Sequence, residues 1–243
     1  RVALFAGCLV DFVYPEQAEA LLRLLKEHAV QIDFPPDQSC CGLPAQMMGE
    51  KETAQEVAIQ NLKAMDPARY DYVLTLCASC GSHLKENYPK LLAGTPGLQV
   101  QAQQMASKVI DFSSFMIDVL QIPSGEVAGD ALTRTVAYHA PCHLCRGMGV
   151  RQAPRELINT SSEYVMAEEE EVCCGFGGTY SMKFPEISEQ LLTKKLDNVE
   201  KTGAAMLVTD CPGCVMQLRG GAKKGGKRFE VKHIAELLAE QLR

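Results

Sequence analysis

Ten cysteines in this chain fall into two copies of one spacing, and that spacing is suited to holding metal. The first copy is Cys8, the adjacent pair Cys40 and Cys41, then Cys77 and Cys80. The second is Cys142, the pair Cys173 and Cys174, then Cys211 and Cys214, displaced by 133 or 134 residues throughout. Of the eleven cysteines only Cys145 lies outside the register. Thiolate sulfur is a soft ligand for zinc, cuprous copper and iron–sulfur clusters. A zinc ion takes four ligands, whereas a cluster of several irons can use five thiolates. Five cysteines per copy therefore favour a cluster while leaving zinc open. Disulfides are the weaker account, because a bond between adjacent cysteines is strained and disulfide-rich domains are small and secreted.

The elements that must position these sulfurs also repeat. Val2–Phe5 reads as a strand ending just before Cys8. Ala18, Leu21, Leu22, Leu25 and Ala29 recur at helical spacing. Val30–Phe34 alternates as a strand does and is closed by Pro35 and Pro36. Ala54, Val57, Ala58, Leu62 and Met65 mark a second amphipathic helix. Tyr72–Leu76 is a strand running into Cys77, with a helix expected around Leu84–Leu92. The second copy replays the order: strand Thr135–Tyr138, helix near Pro154–Ile158, strand near Tyr164–Met166, a stripe of Ile187, Leu191, Leu192, Leu196 and Val199, and strand Ala205–Thr209. Closing helices are expected at Phe112–Leu120 and Ile234–Leu242, with a linker over Gln121–Asp130.

This pattern predicts an α/β fold of two homologous cysteine-rich domains, 1–124 and 125–243. Each is expected to be a small parallel sheet flanked by helices, the pair related by pseudo-twofold symmetry. The cysteines then stand at the carboxyl ends of strands, where ligands bind in such sheets. Gly42 and Gly175, with Gly177 and Gly178, follow the cysteine pairs and are expected at positive φ, letting backbone approach a bulky centre.

Composition narrows the function classes. The chain has 243 residues, 47% of them hydrophobic, and a formal net charge of −6, which argues against general nucleic-acid binding. No apolar run approaches the roughly 18 residues of a membrane span. No signal peptide opens the chain, so a reducing cytoplasmic setting is expected. Glu168–Glu171 reads as a solvated loop, and Arg219–Lys232 as a flexible basic one or a dock for an acidic partner. His83, His139 and His143 lie near predicted ligands; Met47, Met48, Met148 and Met182 flank the sites and are read as packing residues.

The run C-x31-CC-G-x34-C-x2-C resembles the cysteine-rich CCG domain, and the second copy looks like the same domain again. The family includes the catalytic B polypeptide of heterodisulfide reductase, lactate utilization protein A, the glycolate oxidase iron–sulfur subunit and the C polypeptide of anaerobic glycerol-3-phosphate dehydrogenase. The strings Tyr138–His143 and Cys173–Thr179 look closest to the lactate utilization and glycolate oxidase branch. The resemblance implies up to two noncubane [4Fe-4S] clusters. Cys8, Cys40, Cys41, Cys77 and Cys80 would hold one, and Cys142, Cys173, Cys174, Cys211 and Cys214 the other, with zinc in one domain as a family variant. The pattern does not require Cys145, which reads as a buried thiol or a replacement for Cys142.

The function implied is an electron-transfer subunit of a cytoplasmic complex that oxidises a 2-hydroxy acid such as lactate or glycolate. No dinucleotide fingerprint or flavin site is evident, so hydride removal would occur on a partner, with single electrons passing here; the partners expected are other oxidoreductase subunits, flavin or ferredoxin-like. Two alternatives stand beside it. One is a heterodisulfide-reductase-like catalytic protein reducing a disulfide, and the other a zinc-binding assembly module.

Overall fold

A computed structural model describes residues 1–26, 28–122 and 134–242. Two four-stranded sheets, each wholly parallel, form its frame. The first has the order β2-β1-β3-β4, from Val2–Phe5 (β1), Ile32–Asp33 (β2), Tyr72–Thr75 (β3) and Val109–Asp111 (β4). The second has the order β6-β5-β7-β8, from Thr135–Tyr138 (β5), Glu163–Val165 (β6), Met206–Thr209 (β7) and Glu230–His233 (β8). The α/β class, the two similar units and their parallel sheets agree with the sequence reading.

The registers match as closely as the order. Val2 pairs with Tyr72 as Val136 pairs with Met206. In both sheets the chain winds outward from the first strand, then crosses back and winds the other way. The switch point lies between β1 and β3, and again between β5 and β7. Crevices for ligands open at the carboxyl ends of strands flanking such a point. Cys8 and Cys77 follow β1 and β3; Cys142 and Cys211 follow β5 and β7.

The central strands are buried on both faces, which explains their uninterrupted apolar runs. Alternation along each strand divides the core into two layers. Ala3, Phe5, Val73, Ala137 and Leu207 belong to one layer; Val2, Leu4, Leu74, Val136, Tyr138 and Val208 belong to the other. Each layer draws residues from both units, so the core runs across the seam between them.

Polar bonds cross that seam too. The Ala78 N–H donates to the Asp210 carbonyl at 3.2 Å. The equivalent of Ala78 is Pro212, which has no N–H to give. The Leu76 carbonyl, counterpart of that of Asp210, instead accepts from His233 Nε2 at 2.8 Å.

Several expected elements shift. The second strand is only Ile32–Asp33, and Phe34 is half exposed. The preceding helix, Pro15–Leu25, buries Gln17, Ala20, Leu21, Leu24 and Leu25; Leu22 faces water and Ala29 lies beyond its end. The segment Arg219–Lys232 is not a flexible loop. Its first part completes the helix Pro212–Lys224 and its last part is β8. Lys224 pairs with Glu189, and Lys227 with Asp197 and Glu200. The helix Pro96–Lys108 and the strands β4 and β8 were not anticipated. From residue 123 on, the expected linker and the boundary between 124 and 125 lie outside the described residues. No helix among the described residues is long and apolar enough to cross a membrane.

Candidate metal centres

All eleven cysteines are free thiols. The five of the first copy adjoin one another in the order Cys8, Cys40, Cys41, Cys80, Cys77. Those of the second follow the matching order Cys142, Cys173, Cys174, Cys214, Cys211. The two runs meet across the seam, where Cys77 and Cys211 are neighbours. Residues some 70 positions apart thus converge because the helix–strand units return each of them to one edge of the sheet.

Burial deepens along each run. Cys8 is exposed and Cys142 partly so, Cys40 and Cys173 are half-buried, and the rest are buried. Cys145 is buried but stands apart: the side chains acting on its thiol are Glu171, Arg151, Arg155 and Asp210, none of them a cysteine.

Local backbone presents the sulfurs. Cys77 and Cys211 are the caps of the helices Ala78–Ser82 and Pro212–Lys224, and the Cys80 N–H donates to Cys77 Sγ at 3.4 Å. The Gly42 N–H reaches Cys40 Sγ at 3.5 Å, and the Gly175 N–H reaches Cys173 Sγ at 3.4 Å. Both glycines adopt the expected positive φ, +89° and +87°, as do Gly177 and Gly178. A side chain at Gly175 would also collide with the Ser188 carbonyl, 2.6 Å from its Cβ.

The electrostatics favour bound cation. Cys40 is held far below the usual thiol range, first by Cys41 and then by Cys8. Cys173 is lowered likewise, first by Cys142 and then by Cys174. Their partners shift the other way: Cys41 and Cys174 are both pushed up to about 12, chiefly by the neighbouring thiolate. Across the seam Cys211 is lowered, by Cys214 and then Cys77, while Cys77 is raised, first by Cys211. Each cluster of thiols can thus shed only some of its protons unless positive charge enters.

Polar residues brace the two cysteine pairs differently. In the first unit the Asn61 amide accepts from the Ser39 N–H and donates to the Cys40 carbonyl, both at 2.9 Å. The Tyr88 hydroxyl donates to the Cys41 carbonyl at 2.9 Å. In the second unit the buried Lys195 ammonium donates to the carbonyls of Glu169 and Glu170. Glu170 is itself buried, bound to Arg155 and to the Tyr164 hydroxyl, so Glu168–Glu171 is not wholly the solvated loop its charge implied. Asn61, Tyr88 and Lys195 escaped sequence reading. The available signal was a polar residue interrupting an apolar helical stripe, at the same place in both copies.

The histidines divide. His139 is fully buried with neither ring nitrogen hydrogen-bonded; its nitrogen and the sulfurs of Cys174 and Cys214 lie within 4.8 Å of one another. His143 Nδ1 bonds the Ser79 hydroxyl at 2.9 Å, and that oxygen lies 3.7 Å from Cys211 Sγ. His83 is buried edge-on against Tyr88, ring centroids 5.5 Å apart. Of the flanking methionines only Met148 packs inside; Met47, Met48 and Met182 are exposed, contrary to expectation.

The donor set fits an iron–sulfur centre in each unit: five soft ligands, backbone N–H groups aimed at sulfur, and glycines that leave room. A model of the CCG cysteine-rich domain matches residues 2–85 and again 136–219. The chain is 38% identical over 241 residues to lactate utilization protein A of Geobacillus kaustophilus (strain HTA426), covering 98% of each. It is 34% identical over 241 residues to the B polypeptide of the CoM/CoB fumarate reductase of Methanothermobacter marburgensis, covering 98% of this chain and 46% of that one. Among solved structures, an aspartate racemase homologue from Pyrococcus horikoshii OT3 aligns over 99% of this chain and 96% of its own, at 12% identity and a TM-score of 0.38, too distant to bear on function. With the domain matched twice and lactate utilization protein A aligned over 98% of each chain, the chain belongs to the CCG cysteine-rich-domain family.

Proposed function

We propose that this protein is an iron–sulfur electron-transfer subunit of a cytoplasmic oxidoreductase complex oxidising a 2-hydroxy acid of the lactate or glycolate class. The observation that carries the reading is the unbroken run of ten thiols, five from each unit. Cys8, Cys40, Cys41, Cys77 and Cys80 hold one centre; Cys142, Cys173, Cys174, Cys211 and Cys214 hold the other. Five thiolates each fit noncubane [4Fe-4S] clusters. When bound, such a cluster accepts and releases one electron at a time. Gly42 and Gly175 aim N–H groups at Cys40 and Cys173, and the buried cysteines exclude water from the inner side. Full-length likeness to lactate utilization protein A supports the substrate class. Hydride removal then falls to a flavin-bearing partner protein, and a ferredoxin-like partner would exchange single electrons with this chain. The test is anaerobic reconstitution: lactate reduces the chain's visible absorption only when partner subunits are present. Failure of lactate and glycolate alike, with clusters intact, overturns the substrate assignment.

Disulfide reduction is the second reading. It is favoured by the approach of Cys77 to Cys211, which brings the two centres together at the seam, and by likeness to the B polypeptide of the CoM/CoB fumarate reductase. Turnover of a mixed disulfide by the isolated chain with an artificial donor selects it. A zinc-holding module is the third, and the His139, Cys174 and Cys214 group suits zinc in the second unit. Zinc without iron in anaerobic protein selects that one.

A further inference from the structure

The two units align so closely that each residue around one set of thiols has a counterpart around the other. Two counterparts differ in chemistry at the sulfurs themselves. β1 ends on Phe5, buried and apolar; in the place of Phe5, just past β5, stands His139. Its buried imidazole has no hydrogen-bond partner among the described residues and lies by Cys174 and Cys214. An unsatisfied buried polar ring is costly, and a sulfur-bearing anionic centre is the partner its position offers. The first unit has His83, equally buried and, among the described residues, equally without a hydrogen-bond partner, but its ring stands edge-on to Tyr88 and Cys40 is the one thiol acting on its charge, whereas two sulfurs close around His139.

The second difference is Asn61 against Lys195, at matching positions of the helices Lys51–Ala64 and Pro185–Lys201. Asn61 is neutral. Lys195 is only 3% exposed, and two of its three N–H donors go to the Glu169 and Glu170 carbonyls. Burial lowers its pKa, and the anionic Cys174, Glu170, Glu169 and Cys173 act against that and favour the ammonium. The nearby Glu170 carboxylate is matched by Arg155 at 2.5 Å. One buried positive charge therefore stands beside the second set of thiols, with a neutral amide at its place beside the first.

Resting on the reading that both sets hold iron–sulfur centres, we propose that Lys195 and His139 make the second centre the more readily reduced. A buried cation and an N–H donor stabilise the extra negative charge that reduction adds. One electron leaves the first centre, which is oxidised, and enters the second, which is reduced; no bond or proton need move. Cys77 and Cys211, adjoining across the seam, bracket the gap it crosses. Lys195 and His139 are positioning residues, not ligands required for assembly.

The experiment is an anaerobic redox titration of the full chain followed by electron paramagnetic resonance. The unsubstituted protein should show two one-electron steps. Their separation should favour the second centre at least tenfold, about 59 mV. Lys195→Asn and His139→Phe, which install the first unit's residues, should each lower the upper step and leave the lower one in place. Lys195→Arg should restore the upper step. Coincident steps, or a Lys195→Asn shift confined to the lower step, overturn the inference while leaving the clusters intact. A chain without iron overturns both this inference and the reading beneath it. If the variants fail to assemble, unsubstituted protein labelled with 15N-histidine decides. Poised between the steps, its first-reduced centre should show imidazole nitrogen coupling. Coupling confined to the centre reduced last contradicts the proposal.

Discussion

The two units share a sheet order, a strand register and a sequence of thiols, yet their supports differ. The first braces its cysteine pair with a neutral amide and a phenol, Asn61 and Tyr88. The second uses a charged network of Lys195, Glu170 and Arg155. Phe5 in one copy corresponds to His139 in the other, and Leu76 to Asp210. The lesson is that the repeat preserves the sulfurs and the turns that present them, while the surroundings that set their chemistry vary. Ligand spacing is a geometric demand that either copy must meet. The electrostatic environment is free to diverge, and divergence makes two similar centres do different work.

The largest effect that sharpens this comparison concerns metal. Cys80→Ala and Cys214→Ala each remove a buried thiol, the fourth of five in its run. Each should eliminate the iron of its own unit and spare the other, halving the iron bound per chain. Metal analysis with electron paramagnetic resonance checks it. Loss of all iron from either variant would show a single shared centre instead of two.

Next comes Asp210, which has no polar counterpart in the first unit. Its carboxylate accepts from Ser113 at 2.5 Å and from Tyr138 at 2.8 Å, and burial pushes it up to about 7. A carboxyl raised on folding keeps its proton in the folded chain after the unfolded chain has lost it. The contribution of Asp210 to the stability of the iron-free chain should therefore fall as pH rises from about 4 to about 7, against the opposite contribution of His83, His139 and His233, which burial lowers. The loss is on the order of 4 kcal/mol by that linkage. Denaturant titrations across this range should show that contribution as the difference between the unsubstituted chain and Asp210→Asn, largest near pH 4 and lost near pH 7.

Glycine comes third. Gly42→Ala meets the Val57 methyl at 3.2 Å, a side chain able to yield, while Gly175→Ala meets backbone oxygen at 2.6 Å. Both incur the left-handed penalty of about 1–2 kcal/mol. Gly175→Ala adds about 1–3 kcal/mol of overpacking. The order of unfolding midpoints checks the difference. The smallest effect belongs to Cys145→Ala, which should leave iron unchanged and cost about 1 kcal/mol. A loss of iron there would make Cys145 a ligand after all.

Much of this was legible in the chain. The thiols were found by their repeat, and the strands β1, β3, β5 and β7 by apolar runs that double-sided burial requires. Two kinds of feature were hidden. β4 and β8 are short edge strands with polar residues such as Lys232, so nothing in their pattern separates them from loop. Lys195 and Asn61 sit on helical faces that looked apolar; their burial depends on carbonyls supplied by loops far off in sequence. Leu24 and Gln17 replaced Leu22 and Ala29 on the buried face of Pro15–Leu25 because that helix packs against Ile234–Ala239 of the other unit. Periodicity within one helix cannot place its axis relative to a partner some 200 residues on.

The most direct test of two iron–sulfur centres is a count of iron, acid-labile sulfide and zinc in unsubstituted protein prepared without oxygen. Two four-iron clusters predict about eight irons per chain with matching sulfide. One or two zinc ions per chain, with neither iron nor sulfide, would contradict it.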